Sequence, residues 1–301
     1  MVPPDAPGNY SKSPSKPRRF LEFLRATPVW PHVEMRDSFQ PLTRDELLLA
    51  HTPEYVDAFL AGTQPLCERN GLHWSAPFRD SVLLTNACLL AAIPAAILNP
   101  AQLTMAPVSG FHHARPAGGS GFCTFSGQVI AALQLHRRHH LVGAWVDLDA
   151  HFGNSIEDSR AFRPDLEQAI PRDCNINPEG SHAAYLSDLE HKIRRLEARV
   201  VAGEVDYICV AHGADSHEWD QLGGQCSTAE WLRASDLVYD MLERCTARRS
   251  RPVPVTLALF GGYRDDHPQS VLGLHAMDMA RCLELLRGLR IGYVAEVRVR
   301  A

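Results

Sequence analysis

Asp149 and His151 stand two residues apart, just after an apolar run at residues 141–146. On an extended backbone that spacing turns both side chains to one face. A carboxylate and an imidazole on one face can bind a divalent metal. Asp215, after a second apolar run, would add another oxygen. Two oxygens, one nitrogen and an open position for water are what a zinc hydrolase needs. That chemistry also requires a base for the water and a donor for the oxyanion. The adjacent pair His112-His113 offers the base, and the phenol of Tyr263 offers the donor. Glycines before Tyr263 and around Phe122 let backbone pass close to a substrate. Each feature has a plainer explanation too. The aspartates could close strands in polar turns, the histidines could be surface residues, and Gly261-Gly262-Tyr263 could be a turn with a packed aromatic. A second pair, His139-His140, lies beside two arginines and is given no function.

These residues need a frame that brings four loops together. Strands are expected at 103–108, 141–146, 205–211 and 253–260, each followed by one polar loop. Helices are expected between and around them, at 79–98, 125–136, 181–201, 228–245 and 267–286, with Thr228 as a cap and Gly203 as a stop. Alternation of this kind predicts a parallel sheet with helices on both faces. In such a sheet ligands gather at the C-terminal ends of the strands. Upstream, residues 1–16 read as an extended arm, 17–24 as a short helix and 32–39 as a strand. Thr43 and Thr52-Pro53 read as starts of two more helices. Residues 66–78 read as a loop. Residues 155–180 are poorly patterned apart from a short strand at 174–176, and 291–299 reads as a last strand. No repeat or linker divides the chain, so one domain over 1–301 is expected.

Composition narrows the classes. The chain has 301 residues, 45% hydrophobic and 22% charged, as in an ordinary globular protein. A net charge of -5 gives no basic field for nucleic acid or a membrane surface. The eight cysteines form no Cys-x-x-Cys pair, and reduced buried thiols are expected. The Pro- and Ser-rich start is unlike a signal peptide, and no apolar run is read as long enough to span a membrane. A cytoplasmic enzyme is the default expectation.

The same residues resemble a known family, the zinc-dependent histone deacetylases and their bacterial acetylpolyamine-amidohydrolase relatives in the arginase–deacetylase superfamily. The resemblance rests on Gly110-Phe111-His112-His113-Ala114, Ser120-Gly121-Phe122-Cys123, Asp147-Leu148-Asp149-Ala150-His151, Gly213-Ala214-Asp215 with Asp220-Gln221-Leu222-Gly223-Gly224, and Gly261-Gly262-Tyr263. A weaker echo lies at Leu49-Ala50-His51-Thr52-Pro53-Glu54-Tyr55-Val56. The resemblance implies a parallel α/β sheet of about eight strands in the arginase–deacetylase fold. It implies zinc held by Asp149, His151 and Asp215, and His113 as general base. It implies His112 paired with Asp147 as its electrostatic partner, and Tyr263 polarising the scissile carbonyl. Gly121, Phe122 and Leu222 match positions at the rim and wall of an acyl-lysine channel. A structural K+ near the loop after the metal strand is also implied, with Asp147 as one contributor, and so is a homo-oligomer.

The chain departs from the family pattern in three places. Phe152 stands where many relatives have a second His. Asn154 stands where some have Asp beside the second catalytic His, and a neutral partner there should lower the base's pKa. Residues 155–180 lack the Gly- and Phe-rich loop that forms the other channel wall. The implied reaction is hydrolysis of an N-acyl amine, with acyl-lysine in a protein or peptide as substrate. An acetylated polyamine is the alternative with the same chemistry. An arginase-like binuclear manganese hydrolase and a non-catalytic binding module stand further off.

Overall fold

A computed structural model describes residues 11–264 and 266–297. Its five strands are β1 (Thr104–Ala106), β2 (Gly143–Asp147), β3 (Asn175–Ile176), β4 (Tyr207–His212) and β5 (Val255–Leu259). They form one sheet in the order β1-β5-β4-β2-β3, and every neighbouring pair is parallel. All residues of β2, β4 and β5 are buried. Near-continuous apolar runs are what a parallel sheet covered on both faces demands.

Among the described residues ten α-helices surround the sheet: α1 (Lys16–Leu24), α2 (Arg44–Leu47), α3 (Pro53–Ala61), α4 (Ala76–Leu98), α5 (Gly127–His139), α6 (Ser155–Ser159), α7 (Leu166–Ala169), α8 (Ala183–Ala202), α9 (Thr228–Arg249) and α10 (Pro268–Arg287). One layer has α4 packed on α5, β1 and β5; the other runs α8, α9, α10, α1. Local chemistry sets their ends. Thr43 caps α2 in a capping box with Glu46, and Ser227, not Thr228, caps α9 in a box with Glu230. Gly203 ends α8 in the left-handed conformation, as expected.

The parallel α/β class holds, with five strands among the described residues and not about eight. Residues 32–39 join no strand: His32 ends a short 3-10 turn, and Phe39 N donates back to Asp37 O at 3.0 Å. The tail alternates half-buried Ile291, Tyr293, Ala295 and Val297 with exposed neighbours, yet pairs with nothing in the sheet. Residues 298 and 299 of that expected strand lie outside the described residues, as do residues 1–10 of the expected arm. Alternation makes a segment extended, but a strand also needs an edge to bond to. The poorly patterned region 155–180 contains α6, α7 and β3. One further expectation is corrected. By length and composition α4 is apolar enough to cross a membrane. Its Leu and Ala content serves packing on the sheet, with Phe78, Val82, Leu89 and Ile93 buried.

Phe125 anchors the core below the first site loop. Its ring packs on Phe59 at 5.0 Å, on His51 at 5.0 Å and on Tyr55 at 5.4 Å, and it is fully buried. Phe125→Ala should therefore lower the unfolding free energy by about 3–5 kcal/mol, read from urea denaturation.

Candidate active site

The four loops do meet at the C-terminal edge of the sheet. Asp149 and His151 follow β2, and Asp215 follows β4. His151 Nδ1 lies 3.1 Å from Asp149 Oδ1 and 3.0 Å from Asp215 Oδ2. One ligand atom from each of the three residues falls within 4.8 Å of the others. Both carboxylates are buried, and His151 is half-buried. Burial and the nearby Asp149 charge push the Asp215 carboxyl up to about 7. Two buried carboxylates facing one another are costly unless a cation sits between them. The oxygen-oxygen-nitrogen donor set fits such a divalent ion.

Backbone donors hold the carboxylates in place. Gly261 N donates to Asp149 Oδ2 at 2.7 Å, His151 N to Asp149 Oδ1 at 2.9 Å, and Ala150 N to Asp215 Oδ1 at 3.2 Å. A Cβ on Gly261 would collide with the Asp215 carboxylate, so only glycine lets the β5 loop pass this close.

The two histidines after β1 sit in different surroundings. Their rings lie 4.0 Å apart. Buried His112 bonds through Nδ1 to Asp147 Oδ2 at 2.9 Å. Burial disfavours its charged form, but Asp147 and Asp149 outweigh this and raise its pKa to about 9. Half-buried His113 bonds through Nδ1 to Asn154 Oδ1 at 2.9 Å. Burial, and then the charge on His112, lowers its pKa to about 4. The direction is the one expected from Asn154, but the cause differs, because the Asn154 bond itself works upward.

The amide of Asn154 has a defined orientation. Its Nδ2 donates to Asp158 Oδ2 at 2.6 Å, which turns Oδ1 toward His113. His113 Nδ1 must therefore carry the proton, and Nε2 keeps its lone pair. Gly121 stands directly against this ring. A Cβ there would lie 2.6 Å from His113 Cδ2, and its φ is +49°.

Tyr263, half-buried, closes the opposite side. Its ring centroid is 6.4 Å from that of His151 and 5.7 Å from that of Phe122. Burial raises its pKa well above the usual phenol value, so the hydroxyl keeps its proton. Asp220 Oδ2 accepts from Tyr263 N at 2.7 Å and fixes the loop. Gly121, Phe122 and Tyr263 line a recess with His112 and Gly261, whereas Leu222 is 40% exposed and is not part of its lining. Phe152 is 51% exposed.

Two supporting residues escaped the sequence reading. Lys16, buried at the start of α1, donates to Phe260 O at 2.7 Å and Gly261 O at 3.1 Å. It ties the N-terminal helix to the loop that carries Tyr263. Burial lowers its pKa to about 8, against the pull of Asp215 and Asp149. His51, present only in the weaker echo, accepts from Ser126 N at 2.9 Å through Nε2. Its Nδ1 then carries the proton and donates to Arg115 O at 2.9 Å. It thus fixes the end of the His-His loop to the start of α5. Nothing local in sequence marked Lys16, because its partners lie 244 and 245 residues away.

Comparison with known proteins adds a separate line of argument. The family described as "Histone deacetylase domain" matches residues 10–167, more than half of the chain. That match includes His112, His113, Asp149 and His151; Asp215 and Tyr263 come after it. An uncharacterized protein of Picosynechococcus sp. is 29% identical over 254 residues, which is 77% of this chain and 80% of that protein. Histone deacetylase 14, chloroplastic, of Arabidopsis thaliana is 32% identical over 100 residues, 31% of this chain and 23% of that protein. Histone deacetylase RPD3 of Saccharomyces cerevisiae is 29% identical over 134 residues, 40% of this chain and 30% of that protein. The chain therefore aligns with less than a third of either named deacetylase. Among solved structures, the HD domain of HDA15 matches with a TM-score of 0.68 and 18% identity, over 91% of this chain and 81% of that one. At that identity the likeness is one of fold.

The His51 contacts generate a pH prediction. Burial depresses its pKa from 6.5 to about 4. The unfolded chain takes up this proton first as pH falls, so the contribution is complete above pH 6.5 and is lost on the way down to pH 4. Urea unfolding at pH 7 and pH 4.5 should show a fall in stability for the native chain. His51→Asn should remove on the order of 3 kcal/mol of that fall.

Proposed function

Because the chain belongs to the histone deacetylase domain family, and so to the deacetylase-type hydrolases, we propose that it removes an acyl group from acyl-lysine in proteins or peptides. The observation that carries this reading is the placement of the His113 ring, whose Nε2 the Asn154 contact leaves unprotonated, 6.0 Å from the ring of His151 in a two-carboxylate, one-imidazole metal site. In this reading Asp149, His151 and Asp215 hold zinc. Zinc, when bound, supplies a Lewis acid for the carbonyl oxygen and makes a water more acidic.

The chain's own groups do the rest. His113 receives the water proton at Nε2, since its Nδ1–H is committed to Asn154. Tyr263 donates its hydroxyl hydrogen to the substrate oxygen as negative charge builds there. Its raised pKa keeps that donor protonated at neutral pH. His112, held by Asp147, places positive charge next to His113 and favours release of the proton to the departing amine. Phe122 offers an apolar wall across from Tyr263 for the methylene chain of a lysine.

Tyr263→Phe should reduce turnover of an acetyl-lysine peptide by about 100-fold or more while leaving the fold unchanged. Undiminished turnover would remove Tyr263 from the reaction. A panel that includes acetylpolyamines tests the substrate class, and preference for them over peptides would reassign it.

Metal content is checked separately by elemental analysis of the folded protein. One zinc per chain is expected, and Asp215→Asn should lose it. A stoichiometry near two per chain would favour a binuclear hydrolase instead.

A further inference from the structure

Residues 155–180, the stretch without a clear pattern in sequence, carry a line of hydrogen bonds that reaches back to the loop after β2. Strand β3 lies beside β2, with Asn175 and Ile176 paired to Trp145 and Val146. Asn177 follows at the C-terminal edge of the sheet, where functional groups gather. Its Nδ2 donates to Asn175 Oδ1 at 3.1 Å. Asn175 Nδ2 in turn donates to Glu157 Oε1 at 2.9 Å. At the inner end Gly153 N donates to Asn177 Oδ1 at 2.8 Å.

The polarity of this line is set from its outer end. An ionised carboxylate only accepts, so Asn175 must turn its NH2 toward Glu157. Its Oδ1 then faces Asn177, which must present NH2 there and keep its own Oδ1 for Gly153 N. Burial works against charge on Glu157, but bonds from Arg160 and Asn175 hold its carboxyl below the usual range. Asn177 is buried, and Lys192 Nζ donates to its backbone O at 2.6 Å, so the inner end is held as well. Neither amide can be reversed without setting like groups face to face.

Gly153 immediately precedes Asn154, the residue that bonds His113. On the other side Ser155 N donates to His112 O at 2.8 Å. Asn154 therefore hangs between two anchored backbone groups, one tied to the β3 end and one to the histidine pair. Asp158 orients its amide, but the backbone on either side sets where that amide lies. We infer that Asn177 is a positioning residue for His113: the Glu157–Asn175–Asn177 relay fixes the backbone at Gly153 and so places Asn154 Oδ1 against His113 Nδ1. Neither asparagine lines the recess at Tyr263, so the relay acts through Asn154 and not on the substrate.

The inference rests on His113 acting as the base, and one measurement is therefore chosen to be independent of turnover. Ring-nitrogen NMR of the histidine-labelled full chain near neutral pH should show His113, assigned by its loss in His113→Gln, as the Nδ1–H tautomer. Asn177→Leu should turn that signal into a mixture of tautomers. With zinc supplied and an acetyl-lysine peptide as substrate, Asn177→Leu should lower kcat about tenfold and change KM by less than about twofold. Asn154→Ala should lower kcat too, and adding Asn177→Leu to it should cost no more than about a further twofold, because both changes act on one contact. Should Asn177→Leu not fold, Asn175→Ala breaks the relay one bond further out and should move the same NMR signal, with a smaller fall in kcat. An unchanged His113 tautomer in the folded variants, or losses in kcat that multiply in the double variant, would overturn the inference. A native chain that hydrolyses neither acyl-lysine peptides nor acetylpolyamines would instead remove the deacylase reading, and the NMR signal would still decide the relay.

Discussion

Two carboxylates, Asp149 and Asp215, are buried face to face at the sheet edge, and much of the surrounding structure follows from that cost. In a low-dielectric interior such a pair repels and stays ionised only with compensation. The backbone supplies part of it through the N–H groups of Gly261, Ala150 and His151. Lys16, whose charge interacts with both aspartates, supplies more. What remains is a site of strong negative potential with one imidazole nitrogen facing it. That is why the donor set fits a divalent cation.

The histidine pair shows how identical side chains take different roles through their partners. His112 faces a buried carboxylate and is held positive. His113 faces a neutral amide whose orientation Asp158 decides, and it stays neutral with Nε2 free to accept. Burial and the charge on His112 hold His113 neutral although the Asn154 bond works the other way, while Asp147 and Asp149 hold His112 charged. Pairs driven apart in this way are a recurring means of separating acid and base work.

Support for the site comes from distant parts of the chain. Helix α1 reaches the Tyr263 loop through Lys16, and the loop before α3 reaches the His-His loop through His51. The position of the reacting groups therefore depends on contacts that form only when the whole domain closes.

The sequence by itself determined the parallel α/β class, the helices of strong amphipathic pattern, and the loops in which Asp149, His151, Asp215, His112, His113 and Tyr263 stand. Apolar runs with polar ends can be read locally, because burial of a strand and exposure of its loop are local consequences of composition. Local signals could not decide whether residues 32–39 and 291–297 become strands, since that depends on whether packing brings their backbone into register with a sheet edge. They also missed Ser227 as the α9 cap, one residue from the expected Thr228, because both residues can cap and only the backbone turn chooses between them. The proton on His113, the orientation of Asn154 and the burial of Lys16 were decided by tertiary structure alone. Each is a matter of which group stands opposite, and long-range packing sets that.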